Sequence, residues 1–221
     1  MTAILFGSIS TVADTSELQR QAFNDAFEQH GLDWRWEQDE YRELLQGSGG
    51  EQRIAEYARE RGTDVDAGAV HRTKSELFQQ RLAEAKPAPR AGVAETVSEA
   101  REQGLKVALV TTTAPENVEA LVSALDPQLS RGDFDLVLDR TDVQDGKPDA
   151  AVYALALEKL GEQPQDCVAI EDNLGGVQSA KAAGIACVAF PNQNTAGHDF
   201  SSADEQTDGL TLSALRGHVA A

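Results

Sequence analysis

Residues Cys167-Val-Ala-Ile-Glu-Asp-Asn-Leu-Gly-Gly176 combine a short apolar run, two carboxylates, an amide and a pair of glycines. The apolar run has the length of a buried strand, and the glycines open a segment with helical period. Two acids therefore stand where a strand ends and a helix begins. This order indicates the carboxyl edge of a parallel sheet, which is where such sheets bind ligands.

The rest of the chain repeats the alternation of short apolar runs and helix-period segments. We predict strands at 3–6, 106–110, 136–138, 167–170 and 186–190, and helices at 93–103, 115–125, 150–160 and 175–183. Strands and helices of these lengths in alternation indicate βαβ crossovers. The predicted fold class is therefore α/β, with a doubly wound, Rossmann-like parallel sheet.

One long segment, 16–89, interrupts this alternation. It is charged, rich in helix formers and almost without strand signal. Its exit, Lys86-Pro-Ala-Pro-Arg90, resists helix and suits a hinge. We therefore predict an α/β core of residues 1–15 and 90–221 and an inserted, all-helical cap of residues 16–89, which would act as a lid above the carboxyl ends of the strands.

The composition excludes several classes of partner. Of 221 residues, 41% are hydrophobic and 25% are charged, which is the balance of a globular protein. The formal charge of −18 repels nucleic-acid phosphates and anionic membranes, so we expect neither as a partner. No signal peptide is evident at the amino terminus, and Cys167 and Cys187 lie in apolar runs. We expect reduced core thiols and a cytoplasmic protein.

The stretch after the second predicted strand is rich in hydroxyl groups. It reads Thr111-Thr-Thr-Ala-Pro-Glu-Asn117, with the proline in the first turn of the next predicted helix. The start of a helix offers unpaired N–H groups and partial positive charge, so this corner suits an anion. The alternative is a Thr-rich helix cap with no ligand.

Two further positions carry charge where chemistry is expected. Lys147, in Gly146-Lys-Pro-Asp149, is one of few lysines and precedes a predicted helix. It suits a phosphoryl group, or it is a solvated surface lysine. Glu171 and Asp172 are adjacent acids at a strand end, which indicates a Mg²⁺ site. The alternative there is a helix-capping Asp beside a solvated Glu.

Taken in order, these motifs resemble the haloacid dehalogenase superfamily. The likeness is closest to its CbbY-like branch, phosphatases of sugar bisphosphates such as xylulose bisphosphate, near β-phosphoglucomutase. It rests on residues 110–121, 155–161, 166–173 and 199–204, and in the cap on residues 47–54 and Lys74.

The resemblance implies a role for each matching position. Thr111, with Thr112 beside it, would hydrogen-bond a phosphoryl group and Lys147 would neutralise it. Glu171 and Asp172 would hold Mg²⁺ as the cofactor. The distal part of a small phosphorylated metabolite would be bound from the cap and hinge by Gly49, Gly50, Arg53, Lys74 and Arg90.

The first strand departs from the family pattern. The superfamily has Phe-Asp-x-Asp-Gly-Thr-Leu, and this chain has Phe6-Gly-Ser-Ile-Ser-Thr-Val12. Gly7 stands at the nucleophile and Ile9 at the acid/base, and neither side chain can do that chemistry. Three hypotheses follow: a catalytically impaired protein that retains a phosphate and Mg²⁺ pocket, an active Mg²⁺-dependent phosphatase with a non-standard nucleophile, or a protein-interaction module.

Three replacement nucleophiles are available near the gap. Ser8 is expected to point away from the site if the strand continues, and no base is near it in sequence. Ser10 is the second candidate. Asp14 is favoured as a local turn acid. A free anion is expected to fill the space that the Gly7 position leaves.

Overall fold

A computed structural model describes residues 1–47 and 49–219, and its centre is one sheet of six parallel strands. The strands are β1 (Ala3–Phe6), β2 (Lys106–Val110), β3 (Leu136–Leu138), β4 (Cys167–Glu171), β5 (Ala186–Ala189) and β6 (Glu205–Gln206). Their order is β3-β2-β1-β4-β5-β6, and every neighbouring pair is parallel. The predicted α/β, Rossmann-like fold is confirmed.

Ten α-helices lie between and after the strands along the described chain. They are α1 (Ile9–Val12), α2 (Ser16–Gln29), α3 (Gln38–Leu44), α4 (Gly50–Arg61), α5 (Ala67–Ala85), α6 (Val93–Glu102), α7 (Pro115–Leu125), α8 (Ala151–Leu160), α9 (Leu174–Ala182) and α10 (Leu212–Arg216). The predicted helices agree with α6 to α9 within one residue at each end. The sequence analysis missed α1, α10 and strand β6, and it ended β4 one residue early, before Glu171.

The sheet is covered on both faces because its strands alternate. In β1, Ile4 and Phe6 join one apolar cluster, and Ala3 and Leu5 join the other. All four side chains are fully buried, as expected of a central strand covered on both faces. Both cysteines lie in the second cluster as free, buried thiols, as predicted.

The helices α2 to α5 pack around an apolar cluster that is rich in aromatic rings and distinct from the two clusters of the sheet. Phe23, Phe27 and Trp36 pack with ring centroids 4.7 to 6.2 Å apart. Helix α5 also extends to the sheet, because Phe78 and Leu82 belong to the apolar cluster of the sheet. The division into domains at 15/16 and 89/90 stays a prediction.

The loops that follow the inner strands converge at one edge. The Gly7 N–H donates to the Ile170 carbonyl at 2.8 Å, and the Thr111 N–H donates to the Leu138 carbonyl at 3.1 Å. The first bond continues the ladder from β1 to β4, and the second continues the ladder from β2 to β3. Within the described residues, no helix has the length and apolar character needed to cross a bilayer.

Candidate functional site

Lys147 lies at the centre of this edge. Its Nζ donates to the Gly7 carbonyl at 2.5 Å, the Val110 carbonyl at 2.8 Å and the Glu171 Oε1 at 2.6 Å. The side chain is 9% exposed, so the interpretation as a solvated surface lysine is wrong. The ammonium group joins the carboxyl ends of β1, β2 and β4.

Glu171, the last residue of β4, turns its carboxylate inward. Its Oε1 accepts from Lys147 and from the Tyr153 hydroxyl at 2.7 Å, and the side chain is fully buried. Its Oε2 is buried without a hydrogen-bond partner among the described residues. Burial raises the pKa of Glu171, against the opposing pull of the Lys147 ammonium. Burial, with the Glu171 charge, raises the pKa of Tyr153 well above its ordinary value.

The space beside Gly7 is therefore occupied by the protein itself. A Cβ built on Gly7 would overlap the Glu171 carboxyl and the Tyr153 hydroxyl, and a Cβ on Gly176 would overlap the same carboxyl. The expectation that a free anion fills this space is wrong, because the Glu171 carboxylate already takes it. That carboxylate stands where a Cβ of residue 7 would stand, and it is enclosed, so it is too recessed to attack a phosphoryl group.

Asp172 faces a different set of groups. Its Oδ1 accepts from the Ser8 hydroxyl at 2.7 Å and from Asn173 Nδ2 at 2.9 Å, and its Oδ2 accepts from Asn192 Nδ2 at 2.7 Å. It does not cap α9, because Asn173 does so by accepting from the Gly176 N–H. The helix-capping interpretation of Asp172 is wrong. Asn192, in the loop after β5, gave no signal in the sequence.

The residues do not fit a Mg²⁺ ion in this arrangement. Glu171 and Asp172 have separate partners, and the Glu171 carboxylate lies against an ammonium group at 2.6 Å. Among residues 1–47 and 49–219, no three His, Cys, Asp or Glu side chains are grouped as metal ligands. Mg²⁺ requires near-octahedral oxygen ligands with little tolerance for distortion. No chemical step is derived through a metal here.

Ser8 is the candidate nucleophile that the structure places closest to an acid. Strand β1 ends at Phe6, as predicted, so the condition under which Ser8 would point away from the site is not met. Ser8 caps α1 by accepting from the Ser10 and Thr11 N–H groups, and its hydroxyl donates to Asp172. The base that was missing near Ser8 in sequence is supplied by a residue 164 positions away.

The other residues of this loop make structural contacts, and Asp14 also accepts from the Gln193 N–H at 2.9 Å, in the segment after β5. Asp14 accepts from the Ser16 N–H at 3.1 Å and the Ser16 hydroxyl at 2.6 Å, as predicted for a turn acid. The Ser10 hydroxyl is buried and bonds the Thr15 hydroxyl at 2.7 Å. Ile9 is buried in the apolar cluster of the sheet. No carboxylate stands at the family's acid/base position.

The hydroxyl-rich corner after β2 does not cap α7. The residue before this helix, Ala114, makes no side-chain cap hydrogen bond, so the helix-cap interpretation is wrong. Thr111 is buried and its Oγ1 accepts from the Thr113 N–H at 3.1 Å. Thr112 is half-buried and faces the loop that precedes Lys147. The binding of an anion by these two threonines stays a prediction.

Helices α4 and α5 bring three basic side chains together, Arg53, His71 and Lys74. His71 is not among the predicted site residues. Arg53 is buried, donates from Nε to the Leu44 carbonyl at 2.8 Å, and has its pKa lowered by burial. Lys74 is buried and donates to Gln19 Oε1 at 3.0 Å, and burial with the nearby Arg53 charge lowers its pKa to about 7. His71 is the missed neighbour, and burial lowers its pKa to about 4.

The two predicted cap glycines have different surroundings. A Cβ on Gly50 would press against the His71 ring and the Phe23 ring, so only glycine fits there without movement. Gly49 immediately precedes α4, and a Cβ there would meet nothing within 4 Å. Gly50 therefore lies next to the basic side chains, with His71 as its neighbour.

Arg90 is committed to backbone groups. Its guanidinium donates to the carbonyls of Ser10 at 3.0 Å, Phe190 at 2.8 Å and Pro191 at 2.5 Å, and it lies 3.4 Å from the centre of the Phe190 ring. Burial lowers its pKa, opposed by the Asp172 and Asp14 charges. These contacts fix the hinge to the loops after β1 and β5. The predicted role of Arg90 in binding a sugar stays a prediction.

Comparison with known proteins agrees with this geometry. The model of the haloacid dehalogenase-like hydrolase family matches residues 1–184. Protein CbbY of Cereibacter sphaeroides is 40% identical over 219 residues, which cover 97% of this chain and 95% of that protein. The crystal structure of CbbY from Rhodobacter sphaeroides in complex with phosphate matches with a TM-score of 0.87 and 40% identity, covering 95% of this chain and 94% of that one.

A second crystal structure, of a mutant of CbbY from Rhodobacter sphaeroides in complex with xylulose-(1,5)bisphosphate, matches with a TM-score of 0.88 at the same identity and coverage. The family match spans most of the chain, and the likeness to CbbY extends over nearly all of it. This chain therefore belongs to the haloacid dehalogenase-like hydrolase family and is a relative of CbbY.

Proposed function

We propose that this chain binds a small phosphorylated sugar between the carboxyl edge of the sheet and the cap, and that its first strand no longer carries out covalent phosphoryl transfer. One phosphoryl group would lie at the ends of the strands, near Thr111 and Thr112. The distal part of the ligand would lie near Arg53 and Lys74 in the cap. The complexes of CbbY with phosphate and with xylulose-(1,5)bisphosphate support this class of ligand.

The buried ammonium of Lys74 is the observation that carries the proposal. Among the described residues no carboxylate pairs with it, and its hydrogen-bond acceptor is the neutral Gln19 amide. A buried charge without a counter-ion is unfavourable, and an anionic ligand would relieve it. Arg53 lies close enough to lower the pKa of Lys74. In a chain with a formal charge of −18, a buried lysine whose acceptor is a neutral amide supports an anionic ligand at this place.

The loss of covalent chemistry is proposed from Gly7 and Ile9. An aspartyl-phosphate requires a carboxylate at the first position, and protonation of the leaving sugar oxygen requires an acid at the second. Glycine and isoleucine supply neither group. The Glu171 carboxylate does not replace them, because it is enclosed beneath the Gly7 backbone. Removal of a catalytic nucleophile alone reduces turnover by several orders of magnitude.

Calorimetric titration with a sugar bisphosphate at pH 7 tests the binding. We expect saturable binding that Lys74→Met weakens by about tenfold to a hundredfold, because a charged contact is lost. Lys159→Met is the matched control, since Lys159 lies exposed on α8 and should leave the affinity unchanged. Absence of any binding, together with no rise in melting temperature on adding phosphate, would instead favour a protein-interaction module.

A second candidate function is favoured by one contact. The Ser8 hydroxyl donates to Asp172 at 2.7 Å and is half-buried, whereas the flanking Gly7 and Ile9 are buried. With Asp172 as base, the Ser8 oxygen would bond to phosphorus while the bond from phosphorus to the sugar oxygen breaks. The serine proton would pass to Asp172 and from there to the departing sugar oxygen, which leaves as a hydroxyl group. Water would then attack the phosphoserine, releasing inorganic phosphate and restoring the serine hydroxyl. This is phosphatase activity toward a small phosphorylated sugar through a non-standard nucleophile.

The two candidates are separated by trapping. A slow phosphatase that uses Ser8 would yield a phosphorylated peptide containing residue 8 after acid quench, and Ser8→Ala would abolish both the adduct and the phosphate release. Ser10→Ala is the control, because Ser10 is buried against Thr15 and does not reach Asp172. No adduct and no release in the unmodified chain leave binding as the function.

A further inference from the structure

Lys147 and Glu171 form a buried ion pair at 2.6 Å. The resemblance instead implies that Glu171 binds a metal and that Lys147 binds a phosphoryl group. We propose that Glu171 is the permanent counter-ion of Lys147 in this chain, that Gly7 is the residue that makes room for it, and that the site keeps its structure without Mg²⁺. The inference concerns the pocket of the proposed function and rests on that function only for the location of the ligand.

The ammonium group is fully satisfied within the chain. A lysine ammonium has three N–H donors, and Lys147 uses them on the Gly7 carbonyl, the Val110 carbonyl and the Glu171 carboxylate. The Nζ atom also lies 4.6 Å from the centre of the Tyr153 ring, whose π-face favours a cation. No further ligand is required to neutralise this charge.

The Glu171 carboxylate is held through its Oε1, whereas its buried Oε2 accepts no hydrogen bond from the described residues. Lys147 and the Tyr153 hydroxyl both donate to its Oε1. Its other oxygen lies against Gly176, in the first turn of α9, where the partial positive charge of the helix favours an anion. Glu171 and Asp172 therefore share no hydrogen-bond partner, since Asp172 accepts from Ser8 and Asn192.

The position of Glu171 depends on two residues without side chains. A Cβ at residue 7 or at residue 176 would overlap its carboxyl group. With an aspartate at residue 7, as in the family pattern, this inward arrangement of Glu171 could not form. The absence of the nucleophile and the inward position of Glu171 are therefore one structural change, which exchanges a carboxylate on β1 for a carboxylate from β4.

A double-mutant cycle with melting temperature as the readout tests the ion pair. Glu171→Gln should lower the melting temperature by on the order of 10 °C, because it leaves the Lys147 charge buried and uncompensated. Lys147→Met combined with Glu171→Gln should recover a large part of this loss, since both charges are then removed. If the fall in melting temperature of the double variant equals the sum of the falls of the two single variants, Lys147 and Glu171 do not stabilise each other and the inference is wrong.

A surface pair serves as the control for this cycle. Lys106 and Glu162 make an ion pair of the same length, 2.6 Å, but the lysine side chain is 42% exposed. Glu162→Gln should lower the melting temperature much less than Glu171→Gln does, because exposed ion pairs contribute little.

The metal is tested on the unmodified chain, so the test does not depend on any variant folding. After treatment with EDTA, millimolar Mg²⁺ should leave the melting temperature unchanged. A rise with Mg²⁺ that Glu171→Gln abolishes would show that Glu171 is a metal ligand and would overturn the inference. Titration with inorganic phosphate is a separate measurement, so failure of ligand binding would count against the proposed function and leave the ion pair standing.

Discussion

Replacing Lys74 by methionine removes an ammonium group from the interior of the cap. The Lys74 Nζ lies 4.7 Å from the centre of the Phe23 ring and 5.0 Å from that of Phe78, and its hydrogen-bond acceptor is the Gln19 amide oxygen. Methionine has a similar length, carries no charge and suits an aromatic surrounding. We expect the variant to be more stable than the unmodified chain at neutral pH and to bind phosphorylated sugars less tightly.

The size and the pH dependence of this effect follow from the pKa of Lys74. Burial, with the nearby charge of Arg53, lowers this pKa from 10.5 to about 7. Between these two values the unfolded chain carries the proton and the folded chain does not, so stability rises with pH across this window. A pKa difference of one between the unfolded and the folded chain corresponds to about 1.4 kcal/mol. At pH 7 the lowered pKa of Lys74 therefore reduces the free energy of unfolding by roughly 4 kcal/mol.

Urea unfolding at pH 7, 8 and 9 measures the pH dependence of the free energy of unfolding. The free energy of unfolding of Lys74→Met should exceed that of the unmodified chain most at pH 7, and the difference should shrink by about 2 to 3 kcal/mol by pH 9. The exposed Lys159, replaced by methionine, should give a profile parallel to that of the unmodified chain. A parallel profile for Lys74→Met as well would show that Lys74 keeps an ordinary pKa in the folded chain.

Three other predictions come from the same geometry. Gly176→Ala should destabilise the fold by about 2 kcal/mol or more because its Cβ overlaps the Glu171 carboxyl, whereas Gly175→Ala, with only an ordinary contact at 3.5 Å, should be neutral or slightly stabilising in thermal melts. Arg90→Lys should lower the free energy of unfolding in urea by about 1 to 3 kcal/mol, since an ammonium cannot bond all three loop carbonyls in the same planar arrangement. Both thiols should resist a disulfide reagent until the chain unfolds, because burial raises the pKa of each above its usual value.

The fold could be predicted because its inner strands are continuous apolar runs. β1, β2 and β4 are buried on both faces, and such strands are recognised by composition alone. β6 could not be predicted, because Glu205–Gln206 is polar and exposed and pairs only at the sheet edge with Val188 and Ala189. Helix α1 is too short for a helical period, and its start depends on the capping hydroxyl of Ser8.

The site could be predicted only in part, because its side chains are oriented by distant residues. The sequence indicates Lys147 as a candidate site residue, and its Nζ lies at the carboxyl ends of β1, β2 and β4. It does not show that Glu171 points inward, since this depends on space left by Gly7 and Gly176 and on the Tyr153 hydroxyl. The same holds for the contact from Ser8 to Asp172, where the interacting residues are 164 positions apart.

The loss of covalent phosphoryl transfer is measured as the rate of phosphate release by two chains on the same sugar phosphates with Mg²⁺ present. We expect no release above background from the unmodified chain, and measurable release from the Gly7→Asp, Ile9→Asp double variant. In that variant the new aspartate should displace the Glu171 carboxyl, because a Cβ at residue 7 overlaps it. Release from the unmodified chain at about 1 s⁻¹ or faster, the range of ordinary enzymes, would show that covalent chemistry has not been lost.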